Sequence, residues 1–251
     1  MKALKKKTFA VIMLICIAGF VNAQFYKDMR IGLNAGAYIY QGDLTPERFG
    51  AFRTPSFGIN IFAKKPLNNF LSARLNISIA KLRADESMYS KPEWRQQRNF
   101  AFTTPVKEFT GLLEWNIKGA NYDDLGFMPY VFAGAGISFI NSRPDYSRMN
   151  STVFFEGSTV QTGLVTDIAH GTPGAIAVLP VGIGFEKSIS DRLSFNLEST
   201  YRFLFTDYLD GFRYASNPKK GDNYHSTSAG IIYKFGNKGN GNGTGCPVLK
   251  Y

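Results

Sequence analysis

Eight segments of the chain alternate apolar and polar residues with a period of two, and the connections between them alternate strictly between short and long. The segments lie at residues 30–40, 56–64, 70–81, 106–117, 129–139, 176–187, 193–205 and 224–235. A period of two places successive side chains on opposite faces of a strand. In the third segment Leu71, Ala73, Leu75, Ile77 and Ile79 face one way, and Ser72, Arg74, Asn76 and Ser78 the other. The connections near 65–69, 121–126 and 188–192 are brief and rich in Pro, Asn, Asp, Gly or Ser, the chemistry of tight turns. Those near 41–55, 82–105, 141–174 and 206–222 are long and largely polar. A secreted β-sandwich has no reason to keep such an order, whereas outer-membrane barrels combine strands of about 9–11 residues with short periplasmic turns and long extracellular loops. The expected fold class is therefore all-β: an eight-stranded antiparallel transmembrane outer-membrane β-barrel.

Composition agrees without deciding the matter. Aromatic residues make up 15% of the chain, which also holds 25 glycines, a profile suited to strands with two unlike faces. Mean hydropathy is −0.14, and no stretch beyond the N-terminus approaches the ~18 uninterrupted apolar residues of a helical span. The N-terminus itself reads as a cleaved signal peptide over residues 1–23. Lys2, Lys5, Lys6 and Lys7 precede an apolar run at 9–20, and Val21, Asn22 and Ala23 form a small-residue cleavage site before Gln24. Cys16 leaves with it. Loss of the four lysines lowers the formal charge from +10 to +6, and no basic run with interleaved aromatics remains, so nucleic acid is not an expected partner. Residues 24–235 then form the barrel and 236–251 a flexible periplasmic tail carrying Cys246.

The final segment matches the pattern polar-x-Gly-x-x-aromatic-x-aromatic through Ser228, Gly230, Tyr233 and Phe235, the form in which barrels are presented to the barrel assembly machinery. An eight-stranded barrel encloses a space that side chains fill, so the interior is expected to be a packed polar core and not a channel. Arg74, Glu114, Glu186, Glu198 and Arg202 all fall on inward positions, where unpaired charges are costly, so mutual ion pairs among them are expected.

Reaction chemistry is sparsely provided for. The two histidines, His170 and His225, and the thiol of Cys246 have no metal-ligand spacing, and Gly239-Asn240-Gly241-Asn242-Gly243 lacks the Lys-Ser/Thr of a phosphate loop. Neither a metal nor a cofactor is expected. His225 and Thr227 share a strand face as a base and a hydroxyl nucleophile could, with Asp207, Asp210 and Asp222 available to orient the imidazole. Thr fits that role less well than Ser, and the chain is not expected to be an enzyme. Cys246, a single leftover cysteine before Pro247, points either to an intermolecular disulfide or to a free thiol.

Several short motifs resemble a known family. Gly36-Ala37-Tyr38-Ile39-Tyr40-Gln41-Gly42-Asp43-Leu44, Thr206-Asp207-Tyr208-Leu209-Asp210, Asp222-Asn223-Tyr224 and Cys246-Pro247 look like the Bacteroidetes outer-membrane barrels related to PorG. The resemblance implies a structural component of the type IX secretion system, the export apparatus that also supports gliding motility. It implies anchoring of a periplasmic ring, made of a PorK/GldK-type lipoprotein and a PorN/GldN-type partner, to the outer membrane. Cys246 is then the candidate for a disulfide to that ring. The alternative is a small OmpA-like surface barrel acting through its outer loops.

Overall fold

The computed structural model describes residues 28–122, 126–218 and 221–235; the signal peptide expected at residues 1–23 and the tail expected at 236–251, with Cys246, lie outside the described residues. Eight long strands, β1 (Arg30–Gln41), β2 (Ser56–Pro66), β3 (Leu71–Asp85), β4 (Ala101–Asn116), β5 (Phe127–Ile140), β7 (Ala175–Ser188), β8 (Leu193–Leu204) and β9 (Asn223–Lys234), form a closed antiparallel barrel. Each pairs with its neighbour in sequence, and β9 returns to β1 in a ladder from Arg30↔Lys234 to Gln41↔Asn223. Closure leaves none of these eight strands at an edge of the barrel wall. A ninth strand, β6 (Arg143–Asp145), is a short addition beside the first residues of β4.

Side chains follow the pleat. Along β3 every second residue is exposed and every other one buried, from Leu71 to Ala84. Outward residues such as Leu75, Ile77, Phe109, Leu113, Ile137, Ile183 and Ile231 form an apolar belt. Charged outward residues bound it: Lys65 and Lys187 towards the short connections, Lys81, Arg83 and Lys107 towards the long ones. Aromatic rings mark both rims, with Trp115, Phe127, Tyr233 and Phe235 at one and Phe57, Phe139, Phe203 and Phe205 at the other. A wall whose strands pair round the full circle and whose outside is apolar can be solvated by hydrocarbon.

The structure departs from the sequence expectation in three places. The polar excursion expected at 82–105 is shorter, because β3 and β4 stay paired as far as Asp85↔Ala101. The alternation fails to signal this, since the outward residues turn charged at Lys81 while the hydrogen-bond ladder continues. The connection at 141–174 is not simply a loop: it holds β6 and a helix at Thr159–His170, here called α2, after a shorter α1 at Trp94–Arg98. Ser158 caps α2 by accepting from the Gln161 amide at 3.3 Å, a Ser-x-x-Gln signature legible in the sequence. Finally, the interior is not polar throughout. Towards the long connections it becomes an apolar core of Tyr38, Tyr40, Leu82, Phe102, Val106, Ile140, Val178 and Leu204, continuous with Leu44, Phe100, Leu164 and Phe212 of the connections themselves.

Gly32 shows how tightly the wall packs on its contents: a Cβ there would stand 2.1 Å from the Phe62 ring. Gly32→Val should destabilise the barrel by about 1–3 kcal/mol through overpacking. The expected result is a lower urea midpoint for loss of the compact, heat-modifiable band on gels, with no change when outward Leu33 is replaced by Val.

Candidate functional site

The lower interior is a linked set of charges. Lys64 donates to Glu114 at 2.7 Å and to Glu186 at 2.9 Å. Glu186 also meets Arg30 at 3.4 Å and Lys234 at 3.8 Å. Arg74 forks onto both oxygens of Glu198 and lies 3.6 Å from Glu114. Glu198 further accepts from the Tyr130 hydroxyl at 2.7 Å and the Asn34 amide at 3.1 Å. One level up, Arg202 pairs with Glu108 at 2.9 Å and donates to Ser226, while the Tyr224 hydroxyl donates to Glu108. Among the described residues, five cations thus face four carboxylates across the lumen.

Aromatic rings fill the remaining space. The Arg74 guanidinium lies 3.6 Å from the Phe62 ring centroid and 5.4 Å from that of Phe132. Of the five charges singled out in the sequence, Arg74 meets both Glu114 and Glu198. Glu186 and Arg202 find other partners: Lys64, Arg30 and Lys234 for the former, Glu108 for the latter. Those partners sit on inward positions of β1, β2, β4 and β9, but only the register across the barrel says which charges face each other.

Above this interior the four long connections fold into a cap. Glu86, fully buried, accepts from Arg95 at 2.8 Å and from Arg98 at 2.6 and 2.9 Å, and the two arginines reach on to the carbonyls of Asp43 and Ala215. Asp167 of α2 accepts from three successive backbone amides, Arg213, Tyr214 and Ala215, at 3.0–3.1 Å. Gly163 permits that approach, since a Cβ would stand 2.3 Å from the Tyr214 carbonyl. Phe100 stacks on Phe212 at 4.4 Å. Asp43 of the first connection accepts from the Ser216 hydroxyl at 3.0 Å and the Asn217 amide at 2.9 Å, so the fourth connection is held by the other three.

It is also tied to the wall beneath. The Tyr40 hydroxyl lies 2.6 Å from Asp210 and 2.7 Å from Asp222. That hydroxyl has one proton, so both contacts are hydrogen bonds only if one carboxyl is protonated and donates to it. Burial and the charge of Asp222 hold Asp210 well above the usual carboxylate range, and burial, with Asp207 and Asp43 nearby, raises Asp222 as well.

The candidate catalytic set is not assembled. His225 is on the outer face, its Nε2 2.8 Å from the Phe49 carbonyl, whereas Asp210 and Asp222 face inward onto Tyr40. Asp207 lies 3.8 Å from Arg213. His170 stacks on Tyr208 at 4.3 Å. In the candidate assembly signal, Ser228 points inward, while Tyr233 and Phe235 face outward with ring centroids 4.9 Å apart. Among the described residues no helix is long and apolar enough to cross a membrane, and no group of His, Cys, Asp and Glu could hold a metal ion.

Residues 6–240 match the family model DUF6089, a domain of unknown function. No curated protein matches the chain. Among solved structures, the chain is similar to Ail, the attachment invasion locus protein of Yersinia pestis, at 10% identity and a TM-score of 0.45, covering 83% of this chain and 99% of Ail. OprG of Pseudomonas aeruginosa shares 11% identity at 0.45 over 84% of this chain and 98% of its own. A major outer membrane protein of Thermus thermophilus shares 12% at 0.46 over 82% and 99%. At TM-scores below 0.5 and such identities, none of the three bears on function.

Two outcomes are expected. Arg74→Ala leaves Glu198 buried without its main partner and should cost about 3–5 kcal/mol, read from urea titration of the folded band, whereas Arg148→Ala at the exposed pair with Asp85 should change little. For the cap, Asp210 and Asp222 bind protons more tightly folded than unfolded. Their contribution is full below the ordinary carboxylate range of about 4 and is lost as pH rises through the raised folded values. Trp94 fluorescence in a Trp115→Phe background should show the cap melting at lower temperature as pH rises from about 5 to about 9, and Asp222→Asn should flatten that dependence.

Proposed function

The chain belongs to the DUF6089 family, and from its filled lumen and apolar belt we propose that it is a non-conducting outer-membrane barrel that works as a structural anchor. The observation that carries this reading is the charge network across the interior: Arg74, Lys64 and their carboxylates occupy the space a pore would need. Lipid solvates the belt, and the aromatic rims fix its depth. Both ends of the wall, Arg30 and Lys234, lie at the rim with the short connections, as do the adjoining Met29 and Phe235, whose backbones are hydrogen-bonded to each other at 2.8 Å. In an outer-membrane barrel that side is the periplasm. The motifs around Tyr40, Asp207 to Asp210 and Asp222 support, by their likeness to PorG-related barrels, a place in the type IX secretion and gliding machinery. The partners are then the PorK/GldK-type lipoprotein and its PorN/GldN-type companion, reached through the periplasmic turns and the segment with Cys246.

One feature of the cap favours a second reading, a surface barrel acting through its outer loops. Val153, Phe155, Val165 and Ile168 of the third connection expose apolar side chains. Affinity capture of the tagged protein from detergent-solubilised outer membrane, with and without reductant, separates the two. The anchor reading expects the ring lipoprotein and its companion, with a reductant-sensitive adduct that Cys246→Ser removes, and tolerance of an exchanged 141–174 connection. Recovery of the barrel alone, with function lost on that exchange, contradicts it.

A further inference from the structure

The cations at the cap-side rim are not spread round the barrel. Outward Lys and Arg residues cluster on the β3–β4 hairpin and the added strand β6, in rows set by the register. Lys107 is paired with Ile79 and Phe139, Lys81 stands opposite Pro105, and Arg83 and Arg143 flank Thr103. Towards the same rim the outward residues of β5, β7, β8 and β9 include Phe139, Ala175, Phe203 and His225. The nearest carboxylates, Asp85 and Asp145, lie one row further from the belt, both opposite Ala101, and are engaged: Asp85 by Arg148 at 3.0 Å, Asp145 by Ser147 at 2.7 Å. Arg83 donates one N–H to the Pro55 carbonyl at 2.9 Å.

Further down the same strands, past the exposed ring of Phe109, the apolar belt is indented. The groove starts at mid-belt beside Gly111, where a Cβ would meet nothing within 4 Å, and runs past Leu75, Ala73 and Leu113 towards Lys65 and Leu67 at the short connections. Gly111 is four residues down β4 from Lys107, about 13 Å along the strand. A cationic cluster at the level where hydrocarbon ends, with an apolar groove that opens at mid-belt about one acyl-chain length below it, is complementary to one class of molecule. Because these side chains point sideways from the wall, what they meet is what lies beside the barrel.

We propose that the β3–β4–β6 face seats a phosphorylated lipid of the outer leaflet, its phosphate on Lys81, Arg83, Lys107 and Arg143 and an acyl chain in the groove at Gly111. Arg83 and Arg143 supply planar forks suited to phosphate oxygens, and the two lysines supply point charges. This seat rests on the membrane-spanning reading above. It makes the barrel's surroundings asymmetric: one side carries bound headgroups, and the opposite side has an aromatic rim.

Native mass spectrometry of the full-length protein in zwitterionic detergent tests the seat, with added bis-phosphorylated lipid A, the same lipid A dephosphorylated, or inorganic phosphate. Wild type should retain the phosphorylated lipid at least ~10-fold more than the dephosphorylated one, on the scale of a few cation–phosphate contacts. Inorganic phosphate at equal concentration should not displace it. The variant Lys81→Gln/Arg83→Gln/Lys107→Gln/Arg143→Gln should lose the preference, and Gly111→Leu, which fills the groove, should weaken retention with the cations intact. Both variants are compared only after showing the heat-modifiable band of the folded barrel. Equal retention of the two lipids by wild type, equal retention by wild type and the quadruple variant, or displacement by inorganic phosphate overturns the seat. Flotation of wild type with vesicles of phosphatidylethanolamine and phosphatidylglycerol is run alongside. Failure to float overturns the membrane reading itself, whereas flotation without lipid preference overturns only the seat.

Discussion

Neutralisation of charge inside a closed wall is the constraint on which the rest of this structure depends. Eight strands leave too little width for bulk water, so every ionised group on the inner face must find its counter-charge across the lumen. Arg74 illustrates the solution. It starts on β3, crosses to Glu198 on β8, and is flanked by the rings of Phe62 and Phe132. Those rings have room because glycines stand opposite them, Gly32 under Phe62 and Gly182 under Phe132. Removing one partner exposes another's charge to the same dry interior, so the set behaves as a unit.

Along the barrel axis the contents change from ionic to apolar, and the cap continues the apolar part beyond the belt. The hairpin of β3 and β4 rises past Lys81 and Lys107, β6 adds to it, and the four connections close over the end around Leu44, Phe100, Leu164 and Phe212. Buried acids lace this cap where apolar packing alone would not orient it: Glu86 gathers two arginines, Asp167 gathers three amides, and Asp210 with Asp222 holds Tyr40. A molecule built in this way is filled and cross-linked on the inside. Such properties suit holding position in a membrane and presenting fixed surfaces at either rim.

Much of this was legible in the sequence because a half-buried strand writes its two faces into alternate residues. The eight segments and the outward and inward sets follow from that period, as does the inward placing of Arg74, Glu114, Glu186, Glu198 and Arg202. The pairing was less legible. Which inward charge meets which depends on stagger between strands, so Lys64 with Glu186 and Arg202 with Glu108 emerge only from three-dimensional register. The cap was hidden for another reason. Its stability comes from side chains satisfying backbone groups in distant connections, as Asp167 does for 213–215, and such contacts leave no periodic trace. The Ser158 cap of α2 is the exception, a local signal in an otherwise aperiodic stretch.

The most direct test of a filled barrel is electrical. Purified wild-type protein reconstituted into planar bilayers, with insertion checked by protease protection of the cap, should give no stepwise conductance at any voltage the bilayer withstands. Discrete, reproducible steps from the inserted protein would mean that the lumen carries ions, and would contradict the interior of paired charges and packed rings on which this account stands.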